Sequence, residues 1–137
     1  GAYAFYADLA RAIRVPMRVD FLMVTSDGSR SKKSGKAKKV TELTEDIKGK
    51  DVLLVEDIVD SGLTAQHLVK TLAQKKPRSI KVCTLLSKPD GRTVDLVIDY
   101  VGFKIPNKYV VGYGLDYQQK YRNLPYLAVL DVEEEQE

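Results

Sequence analysis

Residues 52–64 read VLLVEDIVDSGLT, and the change from apolar to acidic within this stretch decides the fold. Its first four residues are all apolar, which predicts a parallel strand over 51–55 that is covered on both faces of a sheet. The acids Glu56 and Asp57 follow at once, and Asp60 comes three residues later, before a Ser-Gly step. Apolar residues at helical spacing then continue over 64–74. The stretch predicts a strand, an acidic turn and a helix in immediate succession.

The remainder of the chain repeats this alternation of helices and strands. A first helix is predicted over 3–13, and further strands over 18–24, 79–86, 94–101, 109–111 and 126–132. The helix over 64–74 has one apolar face, formed by Ala65, Leu68, Val69, Leu72 and Ala73. Strand–helix–strand order predicts an α/β fold with an open parallel sheet flanked by helices. At 137 residues, the chain suits one domain spanning 1–137.

Composition restricts the compartment and the classes of partner that can be expected for this protein. The single cysteine, Cys83, excludes an intrachain disulfide and favours a reducing compartment. No apolar run approaches the roughly 18 residues of a membrane span, so no membrane partner is expected. Six basic residues fall within RSKKSGKAKK (30–39), and we interpret 25–39 as a mobile basic loop and 132–137 as an acidic tail. No aromatic residue interrupts the basic run, so no nucleic-acid partner is expected.

The acids and the turn together indicate a site for a sugar phosphate. In open parallel sheets, ligands bind beyond the carboxyl ends of the strands. The helix N-terminus after the turn is suited to an anion, Gly62 allows close approach of the backbone, and Ser61 and Thr64 add hydroxyl donors. Glu56 and Asp57 would suit two ribose hydroxyls, often with a divalent cation. The pattern suggests a ribose 5-phosphate ligand; the alternative is a capped helix with surface acids.

Four stretches extend this interpretation to nearly the whole chain. VLLVEDIVDSGLT (52–64), LLSKPDGR (85–92), DYVGFKIPNKYVVGYGLDY (99–117) and KYRNLPY (120–126) resemble motifs of the type I phosphoribosyltransferases. The last three resemble the hypoxanthine-guanine branch of that family. The resemblance implies a parallel sheet with a small C-terminal hood, a cytoplasmic homodimer or homotetramer, and Mg²⁺ as cofactor. It also implies phosphoribosyl pyrophosphate and 6-oxopurine bases as substrates, with purine salvage as the activity.

The resemblance assigns a role to each motif residue. Glu56 and Asp57 would hold the ribose hydroxyls and approach magnesium, and Asp60 would act as general acid/base at the purine ring nitrogen. The 5-phosphate would lie in a cradle formed by Asp60, Ser61, Gly62, Leu63 and Thr64. On the purine side, Lys88 would donate to the 6-oxo group, Tyr109 would stack on the ring, and the Val110 backbone would read its edge. Asp116 would lie by a second metal, and Arg122 would contact pyrophosphate.

The sequence departs from the family pattern at two places. Asp27 follows Ser26 where the family commonly has tyrosine in its closing loop, and the strand and lysine-bearing loop that precede the glycine matching Gly1 are absent. We therefore expect turnover to be weakened more than product binding. A truncated or non-catalytic module that binds purine nucleotides is the alternative to an enzyme. A phosphoacceptor receiver domain fits less well, because its acid pair should stand near the N-terminus.

Overall fold

A computed structural model describes residues 1–25 and 39–131 of the chain. The interior of the predicted basic loop and the predicted acidic tail lie outside these described residues. In chain order the elements are α1 (Tyr3–Ala12), β1 (Val24–Thr25), β2 (Lys39–Val40), β3 (Asp51–Val59), α2 (Leu63–Ala73), β4 (Ser79–Ser87), a 3₁₀ turn (Pro89–Gly91), β5 (Tyr100–Lys104), β6 (Val110–Val111) and β7 (Ala128–Val129). None of the helices in the described ranges is long and apolar enough to cross a membrane.

The central sheet is parallel and has the order β3-β4-β5. Its first pair runs in register from Asp51 opposite Ser79 to Val59 opposite Ser87, and α2 forms the connection between the two strands. Strands β6 and β7 form a separate antiparallel pair; we call residues 110–129 the hood. This architecture confirms the predicted α/β fold with an open parallel sheet and a small C-terminal hood.

The core lies between α2 and the sheet. Leu68 and Leu72 of the helix pack with Leu54 and Val82 of β3 and β4. Ala65 is also buried, as its place on the predicted apolar face requires. Ala73 is exposed, contrary to the prediction, because it is the last residue of α2 and lies about 80° round the helix from Ala65.

The predicted strand over 18–24 is wrong except at its last residue. Only Val24 enters a strand, where β1 pairs with β2 and brings Thr25 opposite Lys39, the two ends of the predicted loop. In the segment before Val24, the Asp20 side chain bonds to the backbone instead. Its carboxylate accepts hydrogen bonds from the N–H groups of Thr44 and Glu45 at 2.9 and 3.0 Å. Bonds of this local kind compete with a regular ladder, so the segment is extended but unpaired.

The predicted strand over 94–101 is displaced towards the C-terminus. Pairing with β4 begins only at Tyr100, opposite Cys83, and continues to Lys104. Immediately before it, the Asp99 carboxylate accepts the N–H of Val82 at 2.7 Å, and the Asp99 N–H donates to the Val82 carbonyl at 2.9 Å. Asp99 therefore marks the point where the chain joins the sheet, and residues 94–98 lead up to it without strand pairing.

One side-chain network ties the N-terminal ends of β3 and β4 together. The Arg78 guanidinium donates to both oxygens of the Asp51 carboxylate, from Nε at 2.9 Å and from Nη2 at a shorter distance. Ser79 Oγ adds a third bond to Asp51 Oδ1 at 2.7 Å. These donors hold the pKa of Asp51 well below its usual value, and the Arg78 guanidinium has the largest effect. A carboxyl with a depressed folded-state pKa stabilises the fold above its unfolded pKa and loses that contribution as the pH falls.

Asp51→Asn is therefore expected to lower the thermal midpoint at neutral pH. The difference in thermal midpoint between the variant and the unaltered chain should stay constant down to about pH 5. It should then decrease as the pH falls through the unfolded carboxyl pKa of about 4. Thermal unfolding followed by circular dichroism between pH 2 and 8 checks this. Glu42→Gln, a change at an exposed acid outside the network, is the control. If the difference in thermal midpoint between Asp51→Asn and the unaltered chain were independent of pH, Asp51 would not have a depressed pKa in the folded state.

Candidate active site

The predicted site forms a cavity at the C-terminal end of β3. The cavity has a volume of about 230 Å³ and is lined by Glu56, Asp57, Ile58, Val59, Asp60, Ser61, Gly62, Thr64 and Ala65. Strand β3 was predicted to end at Val55 but continues to Val59, so the first two acids lie within the strand. The pairing with β4 explains this difference, because Val59 still lies in register with Ser87. Only Asp60 lies beyond the strand.

The two strand acids reach the same cavity despite being neighbours. Regular alternation would point adjacent side chains to opposite faces of the sheet. Asp57, however, has no paired residue in β4, although Glu56 and Ile58 on either side of it do. Both Glu56 and Asp57 line the cavity. The register is the same on both sides of Asp57, so the interruption is confined to this one residue.

The turn after Asp60 is shaped for close approach of a ligand to the backbone. Gly62 has a φ of 84°, in the left-handed region that favours glycine. A Cβ there would also lie 2.9 Å from Cδ of Arg92 and 3.0 Å from Cγ2 of Val94, so two observations require glycine. Ser61 Oγ accepts the Leu63 N–H at 3.4 Å as α2 begins. The first N–H groups of α2 thus open next to the cavity and are suited to one phosphate group.

A cation and a carboxylate meet at the edge of this turn. Lys88 Nζ lies 3.8 Å from Asp60 Oδ2. Lys88 is only 8% exposed, whereas the Asp60 side chain is about half exposed. The Lys88 backbone N–H donates to the Val59 carbonyl at 2.9 Å, which fixes the residue after β4 beside the end of β3. The structure therefore brings together two residues that are 28 positions apart and that the sequence placed in separate motifs.

Arg92 is a residue of this site that sequence reasoning missed. Its Nε donates to the Asp60 carbonyl at 3.0 Å, and its Nη2 donates to Ser87 Oγ at 3.1 Å. One guanidinium thus joins the acidic turn to the buried end of β4. The motif LLSKPDGR contains Arg92, but a bond to a backbone carbonyl 32 positions away leaves no local signal.

The remaining predicted residues lie in or beside the hood. Arg122 Nη2 is 3.3 Å from Asp116 Oδ1, and Tyr109 Oη donates to the Asp116 carbonyl at 3.2 Å. The Tyr109 ring meets Tyr117 edge-on at 5.5 Å between centroids. Val110 begins β6 and pairs with Val129. These residues form a second group, distinct from the one around Asp60.

Gly1 lies between the two groups of site residues. A Cβ on Gly1 would clash with Asp57 Oδ2, and a Cβ on Gly114 of the hood would clash with the Gly1 carbonyl oxygen. Gly114 has a φ of 99°. The start of α1 is therefore packed against the cavity on one side and the hood on the other.

The carboxylates of the site could hold magnesium together with oxygens of a bound substrate. The described residues contain no cluster of three or more His, Cys, Asp or Glu side chains that could hold a metal by themselves. The Asp116 carboxylate is engaged by Arg122 and by the Gln119 N–H, at 2.8 Å to the latter. Glu56 and Asp57 line the cavity, and Asp57 Oδ1 accepts the Ile58 N–H at 2.7 Å. Because Mg²⁺ is commonly held by one or two carboxylates plus oxygens of a bound substrate, this donor set fits the ion.

Comparison with known proteins agrees with this geometry. A family model described as a phosphoribosyl transferase domain matches residues 1–118. The hypoxanthine-guanine phosphoribosyltransferase of Mycobacterium avium is 53% identical over 131 residues, covering 96% of this chain and 64% of that protein. The Bacillus subtilis enzyme of the same name is 48% identical, covering 95% of this chain and 72% of its own length.

Solved structures extend the likeness to the fold. A hypoxanthine-guanine phosphoribosyltransferase from Bacillus anthracis superposes with a TM-score of 0.88 at 45% identity, covering 96% of this chain and 77% of that one. This chain therefore spans somewhat less than two thirds of its mycobacterial relative and about three quarters of the structural one. The chain belongs to the phosphoribosyltransferase family, in its hypoxanthine-guanine branch.

Proposed function

We propose that this chain transfers ribose 5-phosphate from phosphoribosyl pyrophosphate to hypoxanthine or guanine, giving IMP or GMP and pyrophosphate. The observation that carries the proposal is the Asp60–Lys88 pair beside a one-phosphate turn. It combines an anion site, a carboxylate able to move a proton and a buried cation within one small region. The names of the relatives at about 50% identity point to the same reaction.

In the proposed reaction, the bond between ribose C1′ and the pyrophosphate oxygen breaks as a bond from C1′ to the purine ring nitrogen forms. The nitrogen loses its proton, and the half-exposed Asp60 carboxylate accepts it. The 5-phosphate lies against residues 60–64, where N–H groups at the start of α2 and the Ser61 and Thr64 hydroxyls can donate to it. Glu56 and Asp57 accept hydrogen bonds from the ribose hydroxyls.

The base is held by residues from both groups. Lys88 donates to the 6-oxo oxygen, because an ammonium has donors and no acceptor. Tyr109 stacks on the purine face and the Val110 backbone contacts its edge. Arg122, next to Asp116, binds the leaving pyrophosphate. Magnesium held by Glu56 and Asp57, with Asp116 near a second ion, would neutralise negative charge on the pyrophosphate.

The setting of the enzyme is part of the proposal. We place it in the cytoplasm, where its single thiol stays reduced. Assembly as a homodimer or homotetramer would cover the exposed apolar side chains that alternate along the extended segment after α1, namely Val15, Met17, Val19, Phe21 and Met23.

The test of this function is a competition between labelled bases in the presence of phosphoribosyl pyrophosphate and Mg²⁺. We expect IMP and GMP to form and AMP to form at least about 10-fold more slowly, because the amino group of adenine leaves buried Lys88 without an acceptor. Lys88→Met, which keeps an unbranched side chain one atom shorter and removes the donors, should reduce the preference for hypoxanthine and guanine over adenine.

Two outcomes would contradict the proposal. Efficient formation of AMP by the unaltered chain would remove Lys88 from base selection. Tight calorimetric binding of IMP without detectable turnover would favour the alternative, a module that binds purine nucleotides without catalysis.

A further inference from the structure

Two tyrosine hydroxyls connect α1 to the hood across nearly the whole chain. Tyr3 Oη donates to the Arg122 carbonyl at 3.2 Å, and Tyr113 Oη donates to the Asp8 carboxylate. The paired residues are 119 and 105 positions apart in sequence. Bonds of this kind cannot arise from local turn formation, so they define how the hood sits on the helix.

Tyr113 has an unusual backbone that its side-chain bond helps to hold. Gly112, Tyr113 and Gly114 are three consecutive residues with positive φ, at 94°, 50° and 99°. A left-handed conformation is costly for a residue with a Cβ and persists where the surroundings enforce it. Here the Tyr113 N–H donates to the Leu124 carbonyl at 2.8 Å and the hydroxyl reaches Asp8. The bond to Asp8 also raises the pKa of the Tyr113 phenol.

Gly114, the residue after Tyr113, forms two hydrogen bonds with Arg122. The Gly114 carbonyl accepts a bond from Arg122 Nη1 at 2.9 Å, and the Gly114 N–H donates to the Arg122 carbonyl at the same distance. The other end of the guanidinium contacts Asp116 and Gln119. A shift of the turn at 112–114 would therefore move the Arg122 side chain and its backbone together.

We propose that Asp8 is a positioning residue which, through the Tyr113 hydroxyl, sets where Arg122 presents its guanidinium to a diphosphate. Asp8 bonds to Tyr113 and Arg11, neither of which is a predicted ligand-binding residue. It lies on the first helix, whose N-terminal end packs against Asp57, so α1 spans the distance between the cavity and the cation of the hood. The consequence for catalysis rests on the proposed function, because it takes the pyrophosphate of phosphoribosyl pyrophosphate as the group that Arg122 binds.

The decisive variant is Tyr113→Phe, which keeps the ring and removes the hydroxyl. We expect KM for phosphoribosyl pyrophosphate to rise by about 3- to 10-fold, the range for losing one hydrogen bond to a partly exposed charged group. KM for hypoxanthine and the thermal midpoint should stay close to those of the unaltered chain. Asp8→Ala should reproduce this pattern, and Asp8→Asn should restore near-normal values because its amide oxygen still accepts from Tyr113.

The chain offers a matched control in Arg11. Its guanidinium pairs with the same Asp8 carboxylate, and its side chain is largely exposed. Arg11→Ala therefore removes a charge partner of Asp8 and leaves the Tyr113 bond in place. If Arg11→Ala raised KM for phosphoribosyl pyrophosphate as much as Tyr113→Phe, general electrostatics would explain the effect and the proposal would fail.

A second measurement separates this inference from the proposed reaction. Hydrogen–deuterium exchange over residues 112–124 needs no substrate and should speed up in Tyr113→Phe and Asp8→Ala, but not in Asp8→Asn or Arg11→Ala. Unchanged exchange in Tyr113→Phe would overturn the positioning role even in a fully active enzyme. Faster exchange in a chain that shows no turnover would support the positioning of the hood while refuting the proposed activity.

Discussion

Replacing Asp60 by asparagine is expected to lower turnover by about 100- to 10,000-fold, the usual contribution of a general acid or base. Asparagine keeps the size of the side chain and removes its ability to take up a proton. Three features fix the position of Asp60: Lys88 lies 3.8 Å from its carboxylate, Arg92 donates to its carbonyl, and β3 ends just before it. Because the carboxylate is half exposed, its loss should leave the fold intact.

The measurement is kcat for IMP formation at saturating substrates, with IMP affinity measured by calorimetry on the same protein. Product affinity should change far less than kcat, because the phosphate turn and the base contacts remain. Asp90→Asn, at an exposed acid in the 3₁₀ turn beside the site, is the matched control and should change neither kcat nor IMP affinity appreciably. Turnover of Asp60→Asn close to that of the unaltered chain would remove Asp60 from the mechanism.

The elements that place the cavity could be predicted because their signals are local. An apolar run followed by Glu56, Asp57 and a Ser-Gly step determines strand, turn and helix within 13 residues. The limits of β3 could not be predicted in this way. Strand length depends on the partner, and pairing with β4 carries β3 four residues beyond its apolar run, through both acids.

The contacts that organise the site were harder to predict because they join distant positions. Arg92 was visible in its motif, but its bonds run to Asp60 and Ser87 and depend on how the turn folds back over the strand end. Tyr113 lies just after the predicted strand over 109–111, and no local pattern gives it a role. Its left-handed backbone and its bond to Asp8 exist only once α1 and the hood are packed together. Tertiary placement, rather than residue type, assigns both of them a role.

Gly91→Ala is expected to lower turnover by about 100-fold without altering any ionisable group. Gly91 has no positive φ, so its backbone tolerates alanine. A Cβ at this position would clash with Asp60 Oδ1, and the carboxylate would have to swing away from the site. A displacement of about 1 Å at a reacting group can cost about 100-fold in rate. Lys88, which begins the turn, would keep its backbone bond to Val59.

A double-mutant cycle tests whether Gly91 acts through Asp60. If the added methyl works only by moving the carboxylate, Gly91→Ala should cost little further in a chain that already carries Asp60→Asn, and the two losses should be strongly non-additive. Asp90→Ala, which changes the neighbouring residue and leaves Gly91 in place, controls for disturbance of the 3₁₀ turn. Additive losses would show that Gly91 affects catalysis by another route, such as the turn that carries Lys88. Non-additive losses would show that residue 91 must be glycine because a larger side chain would move the Asp60 carboxylate away from the purine.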